Sequence, residues 1–395
     1  MPASFVRYVP SLTRELRWAV PLAALGLMSL ALLRPAPVIP PTAFAHSATI
    51  IDSMGDAVQV PMPPQGVASV YLPEYLPQTH ATALLLRAGS AEERKKFLAG
   101  RWAWLFPELA DEHYWSDEYP YPVNMESLIA VRPGDLHFGF TWFQGVRYGA
   151  AELRQLGVTA LATFLPEKFQ PPDPPQLRSP KIAESEYHMF AWVRTMNAAL
   201  GQPEFGERVI AEYLDQVREL HEELRPETIP EAQRPRVLGM NAPIDDWSNV
   251  SVTSDDNERL ATRGTGRKLR TSGRYQEAER VLAMNPDIIM SNPRDLYRDV
   301  RWRGLQAVRE RRVYAGHADF SRFIHDIDNL ALAARWQAEI FHPDRLEPTV
   351  RARMRAYYRK RYGIEIGDER IDALLSVDLN KDSQGYARFQ AAPHP

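Results

Sequence analysis

At 395 residues, 45% hydrophobic and 25% charged, the chain has ordinary globular composition and apolar content for two cores. A formal net charge of -3 gives no support for nucleic-acid binding as the main role. The lack of cysteine excludes disulfides, thiol catalysis, cysteine-ligated clusters and a lipid-modified cysteine after a leader.

Residues 1–45 read differently from the rest. Arg7, Arg14 and Arg17 precede an apolar run from Ala19 to Leu33, and Ala43, Phe44 and Ala45 supply a small-residue cleavage site before His46. This is the pattern of a secretory signal peptide. A membrane anchor at 19–33 is the competing reading, but the run falls short of the ~20 residues a spanning helix needs. Cleavage would leave the mature protein free in a periplasm.

The mature chain opens its first α/β block with an apolar strand, Val67 to Tyr71. The stretch from Arg87 to Tyr121 is rich in aromatics, among them Trp102, Trp104, Tyr114 and Trp115. It reads as a packed insertion, part of which borders a cleft. Next comes an amphipathic helix with Leu128, Ile129 and Val131 at helical spacing, ended by Arg132 and Pro133. Asp135 turns the chain into an apolar strand, Leu136 to Phe140, suited to a buried parallel sheet. A further strand is expected from Val158 to Thr163. Some of the chain's 33 prolines cluster at 171–175, a stiff connector. Two helical stripes follow: Tyr187, Phe190, Ala191, Met196 and Leu200, then Phe205, Val209, Tyr213, Val217 and Leu220.

The same phrase then returns. A strand at Arg236 to Met240 leads, past a basic run (Arg263, Arg267, Lys268, Arg270) that reads as a solvated loop, to a second short helix. Val281, Leu282 and Met284 give it an apolar side, Asn285 and Pro286 end it, and Asp287 precedes the apolar run Ile288 to Met290. Leu305 and the strand at Val313 follow Glu279 at nearly the intervals by which Leu153 and Val158 follow Glu126. Matching helix–strand–helix–strand blocks at matching intervals imply a duplicated architecture. The last helical region, Leu346 to Leu375, has Met354, Tyr357, Tyr358 and Tyr362 as its buried side.

These motifs, in this order, resemble the periplasmic substrate-binding proteins of the iron-siderophore, haem and cobalamin class that serve ABC importers. Thr49 to Val60 resembles that family's opening β-hairpin. Glu126 with Arg132 and Pro133, and Glu279 with Asn285, Pro286 and Asp287, resemble its two helix–proline–strand signatures. Trp302 to Val308 followed by Arg312, Val313 and Tyr314 resembles its closing block. The tail from Ala356 to Gly363 is similar to an extension in a metal- or metallophore-binding subgroup. The resemblance covers roughly 48–375. Gly134 is an extra residue in the first signature, and the long aromatic stretch at 87–121 leaves ligand identity open.

The expected fold is therefore α/β: two similar lobes, each a mostly parallel sheet flanked by helices, joined by a rigid interlobe helix, with the ligand cleft between them. The expected divisions are a signal peptide at 1–45, lobes at 46–180 and 226–345, a helical linker at 181–225, and a helical extension and tail at 346–395. Open parallel sheets bind ligands beyond the carboxyl ends of their strands. That rule selects Tyr71, Thr141, Trp142 and Phe164 in the first lobe and Met240, Asn241, Ser291, Asn292 and the segment from His317 to Arg322 in the second. Tyr71, Trp142 and Trp247 supply aromatic walls, Asn241 a polar contact, and Arg322 a fork for a carboxylate or catecholate edge. Tyr71 or His317 would alternatively ligate a metal directly; core or rim packing is the plainer reading of each.

The resemblance implies that Glu126 and Glu279 each pair with arginines on a membrane permease, alongside the plainer role of acids at a helix start. It also implies an ATPase partner, no intrinsic cofactor, a monomer, and a ferric siderophore or other metal chelate as ligand. Haem, cobalamin, or a nickel, cobalt or zinc ion or complex are the alternatives. An α/β enzyme is the remote one: no nucleophile turn or phosphate-cradling loop is present.

Overall fold

Period-two alternation gives the chain its first structure. A computed structural model describes residues 46–52, 55–64, 67–69, 85–87, 104–105, 136–139, 153–155, 157–162, 184–240, 250–251, 265–269, 275–316 and 327–391. Strands β1 (His46–Ile51) and β2 (Ala57–Met62) pair antiparallel, with His46 opposite Met62 and Ile51 opposite Ala57. Val58, Val60 and Met62 are buried while Ala57 and Gln59 face out, as alternation on a half-buried hairpin requires. Arg154 ties this hairpin to the neighbouring sheet: its guanidinium binds Asp52 and, at 2.6 Å, Asp56, and its Nε donates to the Ala160 carbonyl at 2.8 Å.

The first sheet contains β3 (Val67–Ser69), β4 (Leu85–Arg87), β5 (Leu136–Gly139) and β6 (Ala160–Ala162), all parallel, in the order β4-β3-β5-β6. The last strand begins two residues later than the apolar run from Val158 suggests. Gly157 takes a left-handed backbone (φ +81) and Val158 N–H still donates to the Leu153 carbonyl, so Val158 and Thr159 belong to the turn.

Two helices follow, α1 (Glu184–Ala199) and α2 (Pro203–Leu224). They are separated at Gly201 (φ +72), and Pro203 opens α2 where a missing N–H costs nothing. Phe190, Met196, Val209, Tyr213 and Leu220 of the two expected stripes are buried; Leu200, Phe205 and Val217 are partly so.

The second sheet repeats the first in its strand order. It is built from β7 (Arg236–Gly239), β9 (Arg267–Lys268), β11 (Ile288–Met290) and β12 (Val313–Tyr314), parallel and ordered β9-β7-β11-β12. Numbered from its own first strand, each sheet reads second–first–third–fourth. The basic residues Arg267 and Lys268 are thus a short charged edge strand rather than a loop, a composition that discourages further pairing. A separate antiparallel pair joins β8 (Val250–Ser251) to β10 (Tyr275–Gln276). Helices α3 (Ala278–Met284), α4 (Pro293–Arg298) and α5 (Gln306–Arg309) lie between the later strands.

Both faces of this sheet are covered, as a parallel sheet requires. Val237 and Ile288 join one core, shared with β1, β2, α1 and α2. Leu238, Ile289 and Val313, the alternate residues, join another with Val281, Trp302, Leu305 and Val308. The chain ends in α6 (Ile327–Phe341), α7 (Val350–Tyr362), α8 (Asp368–Leu374) and α9 (Val377–Asn380). Met354 and Tyr358 are fully buried, Tyr357 and Tyr362 partly. Trp104 packs on Tyr358, ring centroids 5.5 Å apart, with Arg370 over the Trp104 ring at 4.6 Å; that member of the aromatic stretch is a packing residue.

Candidate functional site

The shared strand order fixes where a ligand would meet each sheet. In a doubly wound sheet the crevice opens at the carboxyl ends where neighbouring strands lead away in opposite directions. Here that point falls between β3 and β5 in one sheet and between β7 and β11 in the other. Tyr71, Thr141 and Trp142 follow the first pair of strands; Met240, Asn241, Ser291 and Asn292 follow the second. His317 and Arg322 follow the edge strand β12 instead. Of the candidates, Tyr71, Thr141, Trp142, Phe164, Asn241, Trp247, His317, Arg322 and Glu126 lie outside the described residues.

The described part of the second edge is well ordered by hydrogen bonds. Met240 N–H donates to the Met290 carbonyl and Ser291 N–H to the Tyr314 carbonyl, each at 3.0 Å, so the ladder runs one residue past the strands. Ala315 N–H donates to Asn380 Oδ1 at 2.7 Å, and Asn380 Nδ2 returns a bond to the Ala315 carbonyl at 2.8 Å. A side-chain amide thereby stands in for the missing neighbour strand. Ser383 Oγ donates to the Val313 carbonyl at 2.6 Å and Tyr314 Oη to the Gln384 carbonyl at 3.0 Å, while Tyr297 Oη of α4 accepts from Val313 N–H at 3.2 Å, so the C-terminal segment and α4 together cover the edge. Burial pushes the Tyr314 phenol up to about 12, so it stays neutral near neutral pH.

Asn292 is committed to the fold. Its Oδ1 caps α4 by accepting from Arg294 N–H at 3.1 Å. Ser291 is different: it is buried and its Oγ makes no hydrogen bond. A buried hydroxyl with no partner is uncommon and asks for a reason.

The second helix–proline signature proves to be a latch. Asn285 ends α3 in the left-handed region (φ 40), which Asn tolerates, and its Oδ1 accepts from Gln306 N–H at 2.8 Å to start α5. Asp287 accepts from the Arg236 backbone N–H at 2.7 Å and from its guanidinium at 2.9 and 3.2 Å. That guanidinium also donates to the Met284 and Asn285 carbonyls, satisfying the end of α3. Burial pushes the Asp287 carboxyl up, but the hydrogen bonds and charge of Arg236, with Arg312 behind, outweigh it and hold the carboxyl below its ordinary value. The acid thus pins the start of β7 to the start of β11. Glu279 sits on the first turn of α3 and is exposed.

Among the described residues no group of three or more His, Asp or Glu stands close enough to hold a metal ion. No described helix is long and apolar enough to cross a membrane; the run at 19–33 lies outside the described residues.

No family model matches the chain, and no curated protein does. Solved structures match over most of its length. A periplasmic solute-binding protein from Veillonella parvula superimposes with TM-score 0.64 at 18% identity, covering 85% of this chain and 99% of that one. The Haemophilus influenzae periplasmic binding protein MolA, bound to molybdate, gives 0.62 at 16%, covering 81% and 99%. Helicobacter pylori CeuE in its nickel–histidine complex gives 0.59 at 13%, covering 84% and 99%. The chain has the fold of the periplasmic solute-binding proteins of ABC transporters.

Proposed function

We propose that this chain is the periplasmic solute-binding component of an ABC importer. In this reading it captures an iron-siderophore or related metal chelate and hands it to an inner-membrane permease with its ATPase. The observation that carries the proposal is the repeated strand order: two parallel sheets, each with its own ligand-accepting point, in one chain. Each sheet with its helices (46–180 and 226–345) is one lobe, and the segment 181–225 joins them. Solute sits between the two carboxyl edges. Tyr71, Trp142 and Trp247 wall it, Asn241 and Ser291 offer hydrogen bonds, and His317 and Arg322 reach in from the edge strand. Glu126 and Glu279, one per lobe, dock on the permease.

The fold neighbours hold solutes as different as molybdate and nickel–histidine, so haem, cobalamin and nickel, cobalt or zinc complexes belong in the test. No step of catalysis is part of the reading. The protein is exported by residues 1–45, works as a monomer and carries no resident cofactor. With eight tryptophans outside residues 1–45, titration by intrinsic fluorescence is practical. The panel is a ferric tris-catecholate, haemin, cyanocobalamin, molybdate and nickel–histidine. Saturable one-to-one quenching by one of them is expected; no binding to any would overturn the proposal.

A further inference from the structure

Helix α2 is the longer of the two helices through which the chain passes from the first sheet to the second, since β6 precedes α1 and β7 follows α2. It carries Glu212, Glu219 and Glu223 along one stripe. These acids meet α7 in reversed order. Glu212 faces Lys360 at 3.0 Å and Arg361 at 3.8 Å, while Glu219 and Glu223 face Arg353 at 2.7 and 2.6 Å. The reversal makes the helices antiparallel, and the rungs match because 219 − 212 and 360 − 353 are both 7. Arg361 also lies over the Phe205 ring at 4.7 Å. Val209 and Tyr213 of α2 share one buried core with Met354 and Tyr358 of α7.

The start of α7 is itself anchored. Glu339 of α6 is fully buried and accepts from Thr349 N–H at 2.9 Å and Val350 N–H at 3.3 Å, meeting two otherwise orphaned donors. Its other partner, Arg335 at 2.6 Å, reaches on to Glu223 of α2. Helices α2, α6 and α7 are therefore bolted together at one end, and ion pairs continue from there between α2 and α7.

We propose that α7 is a brace: it splints α2 and so limits how far the two sheets turn relative to each other. Its consequence for solute capture rests on the two-lobe reading above, whereas the brace is tested without solute. The rungs are partly exposed, so each is weak and screened; alanine would remove too little, and charge reversal is needed. The natural chain has no cysteine, so spin labels at Gln155→Cys and Arg303→Cys, both exposed, report the distance between the two sheets. In Arg353→Glu/Lys360→Glu the distance distribution should broaden, and amide exchange in 203–224 should rise about tenfold, equivalent to about 1.4 kcal/mol. Adding Glu212→Lys and Glu219→Arg should restore both. An unchanged distance distribution in the reversed variant overturns the brace even if exchange rises, as does broadening that the swap leaves in place. Wild-type protein that binds none of the solute panel sinks the transport reading alone.

Discussion

Replacing Asp287 with alanine separates a fold device from a functional acid. The carboxylate accepts one backbone and two guanidinium hydrogen bonds from Arg236, with side-chain exposures of 24% and 29% for the two residues. The guanidinium keeps its bonds to Met284 and Asn285 and can turn toward water, so its loss is small, at most ~1 kcal/mol for such a partly exposed pair. The backbone N–H at the start of β7 loses a charged acceptor, worth about 1.5–3 kcal/mol. We expect a total loss of about 1.5–4 kcal/mol, read as a lower urea midpoint at unchanged slope. The pH dependence has a definite sign. Because the folded carboxyl is held below its ordinary value, its contribution is complete above the unfolded pKa of about 3.9 and fades as pH falls through the lower folded value. The gap between wild type and variant should thus be constant from about pH 5 to 8 and close only in stronger acid. Solute affinity should not change. A loss below about 0.5 kcal/mol, the range of an inert surface change, would refute the latch.

Ser291→Ala should leave stability unchanged or slightly raised, because the hydroxyl it removes has no partner in the fold; solute affinity should drop about tenfold, or about 1.4 kcal/mol. A fall in thermal midpoint with affinity unchanged would assign the hydroxyl to the core. Asn380→Ala strips Ala315 of both its edge partners and should cost about 2–4 kcal/mol, one to two buried unsatisfied groups' worth. Hydrogen exchange at 313–316 should rise with it, and protection there that survives the change would show that the edge needs no such cover.

What the sequence disclosed, and what it did not, follows from the range of the forces involved. The strand Ile288–Met290 sits where its apolar run and the preceding proline place it, because both signals are local. Trp302, Leu305 and Val308, noted in the sequence for their family resemblance, are buried. Arg267 and Lys268 read as loop because two adjacent charges carry no strand signal; only pairing with β7 makes them one. Helix α6 gave no amphipathic stripe, since it is buried almost all round, and its Arg335 and Glu339 satisfy each other out of water. The grip of Asn380 on Ala315 spans 65 residues and has no local trace. For the site, the strand ends were legible; which of them flank the crevice depends on strand order, a tertiary fact. Tyr71, Trp142, Trp247, Asn241, His317, Arg322 and Glu126 remain candidates from sequence, and Ser291 is the strand-end candidate that the described structure singles out.

The central claim is that two repeated sheets share one solute between their carboxyl edges. Amide exchange followed by mass spectrometry, with and without the panel member that binds, tests it most directly. Protection should appear together at 69–71 and 139–142 in the first half and at 240–241 and 291–292 in the second, with the amino ends of the strands unmoved. Protection confined to one half, or spread over α2 and α7 and absent from those edges, would contradict it.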